Sequence, residues 1–306
     1  MKTALFPKEH TFWLKGILAM MIVCSHLSYA TDILAFSLLN KVGTTVVALF
    51  LFISGYGLMY SFMSSGTHFL SQMPQRIWNI FLPMLVATLV YFLWCYLDGK
   101  AIETSILSSL LYEGKTPLPN AWFIFVLLYN YILFGLLFRY CSSRSYAILG
   151  IGVGNLLFVL WAIAHTYERA WWACAFSLLT GMLYAYRGEI WFTMLRRKWI
   201  TFCLCTIVML CYAFRAHCEY LIIIAHCILP LLIVVWLRFF VLPTGKVLNF
   251  LSIYSYEIYL VHGIFISLLR GNTLFIASDY LYSILVISCS CIAAYLLQVS
   301  LKRLKI

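Results

Sequence analysis

Two residues that could do chemistry, Lys15 and His26, lie eleven positions apart in the first apolar stretch of the chain. At about 100° per residue, an α-helix brings them to within about 20° of one face and ~16 Å apart along its axis. An ammonium group binds anions, and an imidazole exchanges protons near neutrality because its unperturbed pKa is ~6.5. The spacing therefore predicts a helix face with an anion-binding group at one level and an acid–base group at another.

Two further ionisable residues, Glu257 and His262, lie in a later apolar stretch. They are five positions apart, about 140° around a helix, so we do not expect them to hold one ion between them. His262 is predicted at the same depth as His26, which suggests a polar cavity shared by the two imidazoles. For His226, a structural hydrogen-bonding role is favoured over membership of that cavity.

Simpler explanations for these residues remain open. Lys15 at a helix edge can extend its ammonium group to the membrane surface, and His26 can be hydrogen-bonded in a helix contact. An intramembrane carboxylate such as Glu257 must be protonated or matched to a cation. Ionisable groups are nevertheless rare inside membranes and commonly functional.

The composition requires a membrane. Of the 306 residues, 64% are hydrophobic and 10% are charged, and the mean hydropathy is +0.95. A soluble domain carries about 25% charge, and a disordered chain is polar and poor in aromatics. The net charge is +11, and the basic residues lie between apolar runs rather than in a basic tail. We therefore exclude nucleic-acid binding.

The apolar runs predict an all-α polytopic membrane protein with about ten transmembrane helices. We expect one integral-membrane domain over residues 1–306, without a fused extracytoplasmic domain. The predicted spans are 12–31, 42–62, 77–97, 120–138, 145–165, 169–186, 199–214, 220–240, 248–269 and 278–300. Residues 98–120, between the third and fourth spans, are either a re-entrant or interfacial piece or an ordinary loop.

The placement of charges predicts the orientation. With the N-terminus inside, fifteen of the 21 Lys and Arg residues lie on the inner side and seven of the ten acids lie outside. Lysine and arginine concentrate in cytoplasmic loops, so both termini are predicted to be cytoplasmic.

Several other classes of site lack their sequence signatures. There is no HExxH motif, no metal-ligand spacing within a predicted span, no phosphate-binding glycine loop and no GxSxG elbow. No metal is therefore expected. Gly150, Gly152 and Gly154 lie within a predicted span, where close helix packing explains them better than nucleotide binding.

Four sequence elements follow one another along the chain. The first element is Lys15–x10–His26, and the second is FLFISGYGLMYSF at 50–62. The others are Ala-Trp-Phe at 121–123 and IYSYEIYLVH at 253–262. Together they resemble the membrane-bound acyltransferase-3 family of bacterial O-acyltransferases. One departure is that the family's Arg-x-x-Arg before a proline is reduced here to Arg76 with Asn79, although Pro83 is kept. If the family's two arginines contact the acyl donor, the loss of one of them puts the identity of the donor and its affinity in question.

The resemblance implies acyl transfer from cytoplasmic acetyl-CoA to a hydroxyl of a cell-surface or lipid-linked carbohydrate, in the bacterial inner membrane. His26 would be the general base, and Lys15 and Arg76 would hold the CoA phosphates. Glu257 would orient or balance a partner, and His262 would bind the acceptor or stabilise the oxyanion. A separate extracytoplasmic protein is a possible partner, and the oligomeric state is open.

The tryptophans at 122, 171 and 172 would suit a sugar at an outer mouth, although tryptophan also anchors helices at membrane interfaces. Two other classes of protein remain open. A glycan or proton-coupled transporter would use intramembrane His and Glu equally well, but it should show paired broken helices. A sensor or assembly protein that has lost catalysis is the other alternative.

Overall fold

A computed structural model describes residues 6–101, 105–237, 239–240 and 245–303. The named elements in these residues are all α-helices, and one isolated antiparallel bridge joins Arg270 and Phe275. The helices are α1 (Lys8–Leu27), α2 (Leu34–Asn40), α3 (Gly43–Ser65), α4 (Thr67–Ser71), α5 (Met73–Leu97), α6 (Ile106–Glu113), α7 (Trp122–Tyr140), α8 (Arg144–Ala164), α9 (Arg169–Ala173), α10 (Ser177–Leu195), α11 (Lys198–Phe214), α12 (Leu221–Leu237), α13 (Lys246–Ile253), α14 (Ser255–Leu268) and α15 (Asp279–Arg303).

Six helical stretches in the described residues are long and apolar enough to cross a membrane, and the number rises to eight if each of two bent pairs is one span. The all-helical, multi-pass architecture is confirmed, while the count of about ten and the cytoplasmic termini stay predictions. The six are Lys8–Leu27, Gly43–Ser65, Thr67–Leu97, Trp122–Tyr140, Arg144–Ala164 and Asp279–Arg303. The bent pairs are Arg169–Leu195 with Lys198–Phe214, at 106°, and Lys246–Ile253 with Ser255–Leu268, at 80°.

The span predicted over 248–269 is not one continuous helix, because the helix breaks between α13 and α14. Two serine hydroxyls bind backbone carbonyls around the break. Ser252 Oγ donates to Leu248 O at 2.7 Å, and Ser255 Oγ donates to Ser252 O at 3.2 Å. Serine side chains that bind local carbonyls offer the backbone an alternative to continued helix, which gives the break a physical cause.

The chain divides into two compact units. The first comprises the described parts of Met1–Thr11, Thr44–Gln75 and Val126–Leu242. Its α3 and α10 meet backbone to backbone, since a Cβ at Gly55 would collide with the carbonyl oxygen of Leu178. The Ile-Ser-Gly-Tyr part of the second family-like element thus makes a close helix contact here.

His226 is buried within the first unit and has partners there. Its Nδ1 lies 3.2 Å from Ala173 O and 3.6 Å from Cys174 Sγ, and its Nε2 lies 3.4 Å from Thr45 Oγ1. These contacts agree with the structural role that was favoured for this residue.

The second unit comprises the described parts of Phe12–Gly43, Arg76–Phe125 and Pro243–Ile306. Its central element is α14, in which nine of fourteen residues are buried. The hydroxyl of Tyr256 donates to Ile80 O on α5 at 2.5 Å, and that of Tyr282 on α15 donates to Ile266 O at 2.8 Å. All five predicted site residues belong to this unit, namely Lys15, His26, Arg76, Glu257 and His262.

Candidate active site

His26 and His262 lie edge to edge and are joined by a hydrogen bond. The distance from His26 Nδ1 to His262 Nε2 is 2.7 Å. The rings are 10° from parallel with centroids 5.0 Å apart, which is the separation expected for two imidazoles joined by one in-plane bond. The structure therefore brings together the two imidazoles whose matching depth suggested a shared site.

The direction of this bond follows from a backbone carbonyl. His262 Nδ1 lies 2.6 Å from Tyr259 O, and because a carbonyl only accepts, His262 Nδ1 carries the hydrogen. In the neutral pair, His262 Nε2 is then the acceptor and His26 Nδ1 is the donor. His26 Nε2 keeps its unshared electron pair, directed away from His262. The chain of bonds leaves His26 able to accept a proton at that atom.

The packing of α1 holds the two rings at one level. Gly16 lies against Ser252, and ten residues further along both segments His26 meets His262, so α1 and the α13–α14 segment run in the same direction. A Cβ at Gly16 would lie 2.6 Å from Ser252 Oγ and 2.8 Å from Ser252 N. This close approach requires glycine.

The two imidazoles differ in their access to the outside. His262 is 0% exposed, whereas His26 is partly accessible in the last turn of α1. Tyr29, one turn beyond His26, is 74% exposed, and its ring centroid lies 6.2 Å from that of His26. Of the two rings, only that of His26 is partly exposed.

Glu257 is bound apart from the histidine pair. Its Oε1 accepts from Gln298 Nε2 of α15 at 3.3 Å, and Gln298 Oε1 accepts from Lys302 Nζ at 2.9 Å. The carboxylate is thus part of a polar chain that leads along α15 to a lysine.

Lys15 and Arg76 are both exposed, on α1 and in the first turn of α5 respectively. Along the axis of α1, Lys15 precedes His26 by ~16 Å. No described contact joins Lys15 or Arg76 to the histidine pair. The predicted cations and the two imidazoles are therefore separate groups.

The segment before α7 packs against α14 beside the histidine pair. The hydroxyl of Tyr259 donates to Asn120 O, and a Cβ at Gly263 would lie 3.1 Å from Pro119 O. The sequence left residues 98–120 between a re-entrant piece and a loop. The structure shows a short helix, α6, followed by an irregular stretch that packs against the helix of His262.

The end of α5 is tied to the turn after α14 by Asp98. Its carboxylate accepts from Thr273 N and Thr273 Oγ1, both at 2.8 Å, and pairs with Lys100 Nζ at 2.9 Å. Burial acts to raise the pKa of Asp98, but the hydrogen bonds from Lys100, Thr273 and Asn272 outweigh it and hold the pKa well below its usual range. The carboxylate is therefore ionised and clasps the turn.

Two of the three tryptophans considered for a sugar site are unsuitable for it. Trp171 and Trp172 are 4% and 3% exposed, and Trp172 packs against Tyr220 in the first unit. Their ring faces are covered by protein, so this part of the prediction is wrong. Trp122, at the start of α7, is partly exposed.

The described helices thus bring a hydrogen-bonded pair of histidines together, with His26 on a helix that is long and apolar enough to cross a membrane. The model of one family, described as an acyltransferase domain, matches residues 13–301. The chain belongs to this acyltransferase-3 family and is a multi-pass membrane acyltransferase. No curated protein and no solved structure matches the chain.

Proposed function

We propose that this enzyme moves an acetyl group from cytoplasmic acetyl-CoA to a hydroxyl of a cell-surface or lipid-linked carbohydrate, in the inner membrane of a bacterium. The observation that carries the proposal is the unshared electron pair at His26 Nε2, which the bonds through His262 to Tyr259 O assign. A general base needs this arrangement: an accessible basic atom in a ring whose orientation and tautomer are held from behind.

In the proposed reaction, His26 takes the hydroxyl proton at Nε2 while the acceptor oxygen attacks the thioester carbonyl carbon. When the tetrahedral species collapses, the carbon–sulfur bond breaks and the thiolate leaves. His26 returns the proton to sulfur, so the products are the ester and the free thiol. The positive charge that His26 carries meanwhile strengthens its Nδ1–H bond to His262, because charge-assisted hydrogen bonds are stronger than neutral ones.

This scheme revises the role of His262. Sequence resemblance suggested that His262 binds the acceptor or stabilises the oxyanion, but a fully buried ring whose two nitrogens already have partners is poorly placed for either. We assign it instead as the positioning residue for His26. Glu257, bonded to Gln298, is proposed to support the packing of α14 and α15 rather than to touch the reactants.

The donor is proposed to bind at Lys15 and Arg76. Both side chains are exposed cations, and phosphates are the anions that such groups bind. The pantetheine arm of CoA, when extended, is long enough to cover the ~16 Å between Lys15 and His26 along α1. The proposal places the donor on the cytoplasmic side and the acceptor on the outer side, next to Tyr29.

The test is transfer of label from radioactive acetyl-CoA to envelope glycans in membranes that contain the wild-type protein or a variant. We expect alkali-labile acetyl label on glycan with the wild type, and a loss of about 10²–10⁴-fold with His26→Ala. His217→Ala, at an exposed position outside the site, is the matched control and should keep full activity. Full activity of His26→Ala would rule out the base, and glycan movement without label would indicate transport instead.

A further inference from the structure

A cavity of about 170 Å³ lies in the second unit, between the outer part of α5, helix α6 and the segment that follows α6. Its wall is half aromatic and aliphatic and half polar. The residues that line it include Tyr91, Phe92, Cys95, Ser109, Lys115 and Thr116. None of these residues belongs to the proposed machinery around His26.

The chemistry of the wall matches a sugar ring. Tyr91 and Phe92 offer aromatic surface to the C–H faces of a pyranose, and the tyrosine adds a polar group at its tip. Ser109 and Thr116 add hydroxyl oxygens to the wall. The Thr116 hydroxyl donates to Leu118 O at 2.8 Å, so it offers a sugar hydroxyl its acceptor lone pairs. The volume is below the range for drug-sized ligands, so it suits a single monosaccharide unit.

The charge in the cavity is balanced. Lys115 provides an ammonium group at the wall, and its Nζ lies 2.6 Å from Glu113 Oε2. This pairing compensates the cation before any ligand arrives. A neutral sugar is therefore favoured over a uronic or sialic acid, whose carboxylate would meet no unpaired charge.

The cavity is built onto the outer half of α14, which carries His262. Lys100, which precedes the lining residue Ala101, donates from Nζ to Ser267 Oγ at 3.1 Å. Ser267 lies five residues, or about 7.5 Å of helix rise, beyond His262. On the other side, Thr116 leads directly to Pro119 and Asn120, which contact α14 at Gly263 and Tyr259. Both walls are thus anchored within two helical turns of the histidine pair.

We propose that this cavity is the acceptor subsite of the enzyme and holds one neutral monosaccharide unit of the carbohydrate next to the hydroxyl that is acetylated. This assignment rests on the proposed function. The aromatic residues of α5 and the hydroxyls of Ser109 and Thr116 bind the ring, while contacts to α14 fix the subsite relative to His26.

The kinetic test uses Phe92→Ala and Thr116→Val in membranes with labelled acetyl-CoA and a neutral envelope polysaccharide. Each variant should raise the acceptor KM about fivefold, because a stacked ring or a hydrogen bond is worth ~1 kcal/mol, and leave the donor KM unchanged. Leu93→Ala, at the exposed neighbour on α5, is the matched control and should leave both constants unchanged. An unchanged acceptor KM in both folded pocket variants would overturn the subsite.

A charge test separates a sugar-binding cavity from a structural void. Glu113→Gln removes the partner of Lys115 and should raise kcat/KM for a uronic-acid acceptor relative to a neutral one by up to about fivefold. Lys115→Gln should not produce this shift. If the wild type and Glu113→Gln show the same preference between the uronic-acid and the neutral acceptor, Lys115 does not line the acceptor subsite.

A binding measurement distinguishes failure of the subsite from failure of the acetylation chemistry. In the His26→Ala protein, methanethiosulfonate labelling of Cys95 is followed by mass spectrometry with and without neutral methyl hexosides. We expect the sugars to slow labelling of Cys95 and not of Cys203, which is exposed on α11. Protection by phospholipid but not by sugar would overturn the subsite. Sugar protection in a protein whose wild type shows no acetyl transfer would overturn only the proposed function.

Discussion

Gly16 on α1 lies against Ser252 at the end of α13, and the same ten-residue step along both segments leads to His26 and His262. The first contact sets the spacing at which the second can form. Gly16→Ala would place a methyl group 2.8 Å from the backbone nitrogen of Ser252. We expect a loss of about 1–3 kcal/mol in the free energy of unfolding, with reduced acyl transfer, as measured by thermal unfolding in detergent and by labelled transfer.

The control for that substitution is Gly57→Ala. A Cβ at Gly57, within α3, would meet no described atom within 4 Å, and alanine favours a helix by up to about 1 kcal/mol. The control should therefore match or exceed the stability of the wild type. Equal effects of the two substitutions would mean that the Gly16 contact does not set the spacing of the helices.

The histidine pair should behave as one unit. We expect His262→Ala to lower kcat about 10–100-fold, as loss of an orienting partner does, and His26→Ala to lower it further. The double variant should be no slower than His26→Ala alone, since His262 acts through His26. His262→Gln should recover part of the activity, because its amide oxygen can accept from His26 Nδ1–H. Multiplicative losses in the double variant would instead give His262 an independent role.

Lys15 and Arg76 should govern the donor and not the acceptor. Lys15→Ala and Arg76→Ala should each raise the KM for acetyl-CoA about tenfold, which corresponds to about 1.4 kcal/mol of binding. The effect should shrink as salt is added, because exposed charges are screened. Lys41→Ala, at an exposed lysine after α2, is the control. A change confined to the acceptor KM would exclude the donor assignment.

Glu257 should be replaceable by its amide. Glu257→Gln keeps an oxygen that can accept from Gln298, so we expect a loss of less than about tenfold in kcat, below the range for a removed general acid or base. Glu257→Leu removes that acceptor and should lower thermal stability. A loss as large as that of His26→Ala would return Glu257 to the reaction itself.

Asp98 should make stability depend on pH at the acid end. Its pKa is lower in the folded protein than in the unfolded chain, where it is about 3.9, so its contribution is fully present above that value. The contribution is lost progressively as pH falls towards the folded pKa. Asp98→Asn should therefore melt several degrees below the wild type at pH 7, and the difference should narrow below about pH 4. If the difference in melting temperature between the wild type and Asp98→Asn widens as the pH falls, the ionised Asp98 carboxylate does not stabilise the fold.

The sequence predicted the parts of the site that depend on helical periodicity. The eleven-residue spacing predicted that Lys15 and His26 lie on one helix, and the position of His262 in its apolar stretch predicted that it lies at the depth of His26. In the structure α1 contains Lys15 and His26, and His26 bonds His262. Hydropathy also located apolar helices correctly. These features repeat regularly along a helix, so a single chain reveals them without knowledge of its partners.

Other features lack the usual sequence signals or depend on contacts between distant parts of the chain. The bend between α13 and α14 contains neither proline nor glycine, the residues that usually announce a helix break. Asp98 binds a turn more than 170 residues away in the chain, a contact that no local sequence pattern indicates. Tyr259 lay within the quoted IYSYEIYLVH element, but the role of its carbonyl requires the rotamer of His262, which the sequence does not provide.

Tyr259 serves two neighbours with different parts of itself. Its main-chain carbonyl fixes the proton on His262, and its phenol binds the stretch that leads to the sugar-sized cavity. Every amino acid carries the carbonyl, whereas only tyrosine carries that phenol. A substitution at position 259 therefore removes the phenol's bond to Asn120 O while the main-chain acceptor for His262 remains. The packing of the segment before α7 and the tautomer of the histidine pair can thus be altered separately.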